Sequence, residues 1–118
     1  MRRVRSDRML KSEVRKLRRL LVAFLLQIEA QVHPWAYGRE FTVYTVYGKL
    51  CIHVWEKEPL GVVSSAIFTC FEEPGRAAKH LDSNPFTGKW NFHFERQTAE
   101  DALASFVAAL RPILRRAS

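Results

Sequence analysis

Between Met9 and Val32 the apolar residues Leu10, Val14, Leu17, Leu21, Phe24, Leu25, Ile28 and Val32 recur at three- and four-residue steps. That spacing predicts an amphipathic helix, with Lys11, Arg15, Arg18 and Arg19 falling largely on the other face. Pro34 predicts its end near Val32, because the residue before a proline is pushed out of the helical region. In the second half, Leu20, Leu21, Val22, Phe24, Leu25 and Leu26 widen the apolar stripe beyond one face. A helix apolar on more than one side must be buried by more than one surface. A sheet on one side and a second helix, or a second subunit, on the other would satisfy it.

The rest of the chain supplies both. Residues 41–47 and 50–56 are dense in β-branched and aromatic residues around Gly48-Lys49, and predict a hairpin. Residues 62–71 read as a third strand, and Trp90-Asn-Phe-His-Phe-Glu95 alternates as a fourth. A short helix is expected through Arg76–Leu81, and His33-Pro34 reads as a linker. Thr98, with Asp101 three residues on, resembles a capping box ahead of a final helix carrying Ala102, Leu103, Phe106, Val107, Leu110 and Ile113 on one face. Pro112 should kink that helix or bring it close to its end. The expected fold class is α+β, in two layers. A four-stranded, mainly antiparallel sheet carries long N- and C-terminal helices, in the order α-β-β-β-α-β-α. At 118 residues the expected organisation is a flexible basic arm over 1–8 and a single α+β domain over 9–118.

Charge is the clearest functional signal. The net charge is +7, and its distribution is uneven. Nine of the basic residues lie within the first twenty positions, while residues 21–110 are mildly acidic. Arg2, Arg3, Arg5, Arg8, Lys11, Arg15, Lys16, Arg18 and Arg19 would line a tail and one helix face, where guanidinium forks suit phosphate. Such contacts position a backbone without reading bases. Six of them on duplex DNA would give a log–log salt slope near about −5. Helix-turn-helix, zinc-finger and zipper patterns are absent. The apolar run Leu20–Leu26 is too short to span a membrane, and the expected location is cytoplasmic.

Alternation places Leu50, Ile52 and Val54 with Trp90, Phe92 and Phe94 on the inner sheet face. His53, Asn91, His93 and Glu95 then share the outer face, and with Lys89 they form a possible polar site. The histidines more often serve as solvated strand residues than as a general base with a carboxylate orienter. No ligand-like spacing within one element supports a metal site, so no metal, cofactor or catalytic residue is assigned. Cys51 and Cys70 both sit in apolar strand-like runs. They read as buried thiols, with a cross-strand bridge left open. Tyr44, Trp55, Phe68 and Phe92 could include a stacking platform for bases, although strand aromatics are usually core. In the loop 83–89, Phe86 reads as a plug for the core beside turn-forming residues.

Three functional classes follow. The first is a small non-enzymatic nucleic-acid-binding or nucleoprotein accessory protein, gripping a DNA or RNA phosphate backbone through the basic arm and helix. The second is a protein–protein interaction or inhibitor module. It would be a homodimer, or dock on an acidic protein surface, without touching nucleic acid. The third is a small enzyme using His53 and His93.

Overall fold

The computed structural model describes residues 10–57, 67–71, 89–92 and 98–115. Helix α1 spans Lys11–Gln27 and helix α2 spans Ala99–Leu110, followed by a 3-10 turn over Arg111–Ile113. The strands are β1 (Gln31–Trp35), β2 (Gly38–Thr45), β3 (Gly48–Trp55), β4 (Ile67–Phe71) and β5 (Lys89–Phe92). All neighbours are antiparallel, in the order β1-β2-β3-β4-β5.

The α+β character stands, but the expected four-stranded sheet with three helices does not. The described residues form two helices and a five-stranded meander, whose continuous part is the three-stranded unit β1-β2-β3. The expected helix over 76–81 and the start of the third strand at 62–66 lie outside the described residues, as do the 1–8 arm and the loop 82–88.

The extra strand comes from a segment that reads as helix end and linker. Helix α1 stops at Gln27, five residues before Val32. Glu29 takes a left-handed φ of 61°, its N–H reaches the Leu26 carbonyl, and the Ala30 N–H reaches the Leu25 carbonyl at 3.0 Å. This is a Schellman stop, in which two orphan carbonyls of the last turn gain donors. The position usually holds glycine, so a glutamate there hides the stop from sequence. The next residue, Gln31, opens β1, which occupies the sheet edge, where a proline without N–H is tolerated. Pro34 therefore lies within a strand, pairing with Arg39.

The second hairpin also turns earlier than expected. Its loop is Val46-Tyr47, with Thr45 facing Gly48 across the strands. Thr45 Oγ1 accepts from the Tyr47 N–H at 3.0 Å and donates to the Gly48 carbonyl at 2.7 Å. Gly48 carries a φ of 124°, a conformation side chains resist. The chain after the 3-10 turn returns to this corner. Leu114 bridges Thr45, with Val46 N–H to the Ile113 carbonyl and Arg115 N–H to the Tyr44 carbonyl.

The core lies between the helices and one sheet face. Val14, Leu17, Leu21, Phe24 and Leu25 of α1 meet Ala99, Ala102, Phe106 and Leu110 of α2 and Phe41, Val43, Leu50, Ile52 and Val54 of the sheet. The Phe24 and Phe106 rings pack edge to face at 6.3 Å. The widened stripe of α1 thus finds both its surfaces, sheet and α2, and only Leu26 remains well exposed. Two polar contacts fix where α2 begins. Thr98 Oγ1 accepts from Asp101 N–H, and Glu13 of α1 accepts from Ala99 N–H at 2.7 Å. Lys16 also pairs with Glu100 across the same seam. Hydrogen bonding to Glu100 raises the lysine's pKa, and hydrogen bonding to Lys16 lowers the carboxyl's. The pair is therefore intact at neutral pH. Its contribution is lost in acid as pH falls through the lowered Glu100 pKa, and in base as pH rises through the raised Lys16 pKa.

Two substitutions test these joints by chemical denaturation. Glu29→Gly should raise stability by up to about 1 kcal/mol, because a left-handed residue no longer carries a Cβ. Glu13→Ala should lower it by about 1 kcal/mol through loss of the cap on α2.

Candidate functional site

The strand register sorts the sheet into two faces. Leu50, Ile52 and Val54 are buried towards the helices, whereas Cys51, His53 and Trp55 alternate to the opposite face. Across strands, Gly38 faces Trp35 and Trp55, and Glu40 faces His33 and His53. Gly38 is needed at this crossing. A Cβ there would collide with the Val54 carbonyl oxygen and lie 2.8 Å from the Glu56 nitrogen. Without a side chain between them, the Trp35 and Trp55 rings meet at 4.7 Å in an edge arrangement. Tyr37, from the β1–β2 turn, closes the group at 5.6 Å from Trp35 and 5.5 Å from Trp55. The His53 ring stacks on Trp35 at 4.6 Å, and its Nε2 lies 2.8 Å from Glu40 Oε2. Trp55 Nε1–H is buried with no hydrogen-bond partner among the described residues.

Beside this aromatic group, at the same end of the sheet, lies a cavity of about 480 Å³. Arg15, Arg18, Arg19 and Val22 of α1 line one wall, and Arg39, Trp55 and Glu56 line the other. Their placement follows from the helical period. Residues 15, 18, 19 and 22 share a face that flanks the core stripe at 14, 17 and 21. Arg18 is only 6% exposed, so its guanidinium is held in a fixed place. Arg39 Nε binds Glu56 Oε1 at 3.2 Å. Among the described residues four guanidinium groups and one carboxylate line this recess, with Arg18 buried and Arg15 and Arg19 exposed. Trp55 belongs to both the cavity wall and the aromatic group.

The nine expected basic residues do not act alike. Arg15, Arg18 and Arg19 come together in the cavity; Lys11 sits exposed in the first turn of α1, and Lys16 is taken up by Glu100. Arg2, Arg3, Arg5 and Arg8 lie outside the described residues. Of the polar site, His53 has Glu40 as its carboxylate partner. Lys89 and Asn91 fall in β5, where register pairs Asn91 with Phe68 and Phe68 with His53. His93 and Glu95 lie outside the described residues. Cys51 and Cys70 are direct cross-strand partners. No group of three or more His, Cys, Asp or Glu among the described residues could hold a metal. No described helix is long and apolar enough to cross a membrane.

Sequence reasoning missed Trp35, Tyr37, Arg39, Glu40 and Glu56. The first two sit in the segment read as a linker because of Pro34. Arg39 and Glu56 flank strand ends that alternation alone does not bring together. The chain was compared with protein-family models, curated proteins and solved structures, and none matches it.

Gly38→Ala tests the crossing on which both groups depend. It should cost about 1–3 kcal/mol or more, as overpacking against backbone does. Its tryptophan near-ultraviolet circular dichroism should change along with the loss of stability.

Proposed function

We propose that this protein is a small non-enzymatic nucleic-acid-binding protein, and that it holds phosphate groups of the backbone in the arginine cavity between α1 and the β2–β3 end of the sheet. The observation that carries this reading is the convergence of Arg15, Arg18, Arg19 and Arg39 on one recess, whose described lining also includes one carboxylate, Glu56. Guanidinium groups present planar forks that match phosphate oxygens and are more weakly hydrated than ammonium groups, so they suit a partly buried site. The arginines at positions 2, 3, 5 and 8 precede α1 in the chain and would extend the same contact along the backbone. In this reading His53 and Glu40 support the aromatic group rather than perform acid–base chemistry, because the His53 ring is stacked on Trp35.

Fluorescence anisotropy with labelled oligonucleotides across a salt titration tests the proposal. Four phosphate contacts on a single strand predict a log–log slope of about −3 from the cavity alone, steeper if the arm contributes. Arg15→Ser with Arg19→Ser should weaken binding at least tenfold and flatten the slope by about 1 to 2. Lys11→Ser with Arg115→Ser removes the same charge away from the cavity and should change affinity far less. Equal losses in the two double variants would show that diffuse charge, and not the cavity, holds the polymer. Binding of polyglutamate as tight as that of nucleic acid would instead assign the cavity to an acidic protein.

A further inference from the structure

We infer that the Trp35–Tyr37–Trp55 group is a base-stacking platform that makes the adjoining arginine cavity selective for single-stranded nucleic acid; this rests on the phosphate reading above. Three observations carry it. The rings belong to the sheet face opposite the helices, so the core does not account for them: Leu50, Ile52 and Val54 fill that role on the same strand as Trp55. They also pack against one another at 4.7 to 5.6 Å between centroids, with Tyr37 and Trp55 at steep angles to Trp35 and His53 stacked on Trp35, which leaves Tyr37, at 43% exposure, as the ring on which a base would stack. Finally, Trp55 is shared with the cavity wall, so a phosphate held by the arginines would bring its own nucleoside to the rings.

The chemistry then discriminates between polymer forms. A duplex keeps its bases stacked and paired inside, and offers a ring platform only phosphate and sugar. A single strand can turn a base outward onto an aromatic face, and stacking tolerates any base because every base has a π-face. The two halves of the site thus separate the two halves of a nucleotide: guanidinium groups for phosphate, rings for the base.

The experiment compares three labelled ligands of equal length on the full chain: a single-stranded oligonucleotide, its duplex, and an abasic deoxyribose-phosphate oligomer. The single strand should bind at least tenfold more tightly than the abasic oligomer and more tightly than the duplex, with quenching of tryptophan emission. Tyr37→Ala should erase about tenfold of the single-strand affinity while leaving abasic binding unchanged. Trp35→Leu should do the same where its circular dichroism shows a folded chain. Equal affinity for the single strand and the abasic oligomer would overturn the platform and leave the phosphate reading standing, as would a duplex bound as tightly as the single strand. Failure of all three ligands to bind would overturn the phosphate reading, and the platform with it.

Discussion

Burial of α1 on two sides is the constraint from which the rest of this structure follows. Leu17, Leu21 and Leu25 are fully buried, and one surface could not bury them together with Val14 and Phe24. The sheet supplies Phe41, Ile52 and Val54, and α2 supplies Ala102, Phe106 and Leu110. Each fully buried aliphatic or aromatic side chain contributes on the order of 1.5–3 kcal/mol, so this three-way seam outweighs any surface ion pair in the molecule. The polar joints, Glu13 on the α2 N-terminus and Lys16 with Glu100, fix the position of α2 along α1 more than they add stability.

The same packing creates the arginine recess. Once the stripe at 14, 17 and 21 is committed to the core, the residues one position further round the helix must lie at its border. Arg18 is therefore buried at the sheet rim, with the exposed Arg15 and Arg19 beside it. The rim is shaped by backbone as much as by side chains. Gly38 brings β2 close to the Val54 carbonyl, and the Tyr37 carbonyl accepts the N–H groups of both Glu56 and Lys57. That tight corner sets Arg39 and Glu56 beside α1, with Trp55 at the edge of the recess. A basic helix face thereby borders a recess that Trp55 also touches.

Parts of this arrangement are legible in the sequence and parts are not, for identifiable reasons. The periodic stripe of α1, the Thr98 cap and the alternation of β3 are local patterns repeated over many residues, so each reinforces itself. The Schellman stop at Glu29 is a single-residue event made with the wrong residue type, and its signal is weaker than that of the helix it ends. Pro34 points to a linker when read alone, yet at an edge strand its missing N–H goes unused. That one reading conceals β1, and with it Trp35 and Tyr37. In the hairpin, glycine marks the first residue of β3 rather than the turn itself, which shifts the expected loop by two positions.

By itself the sequence determined the amphipathic elements, the clustering of positive charge at the chain's start and the two faces of β3. These depend on periods of two and 3.6 residues and on composition, which are properties of the chain before it folds. Only the tertiary structure decided which arginines share a cavity, that Lys16 is spent on Glu100, and that Trp35, Tyr37 and Trp55 meet over Gly38. Those outcomes need residues far apart in sequence to arrive at one place. Their arrival is set by strand register and helix docking, which no local pattern encodes.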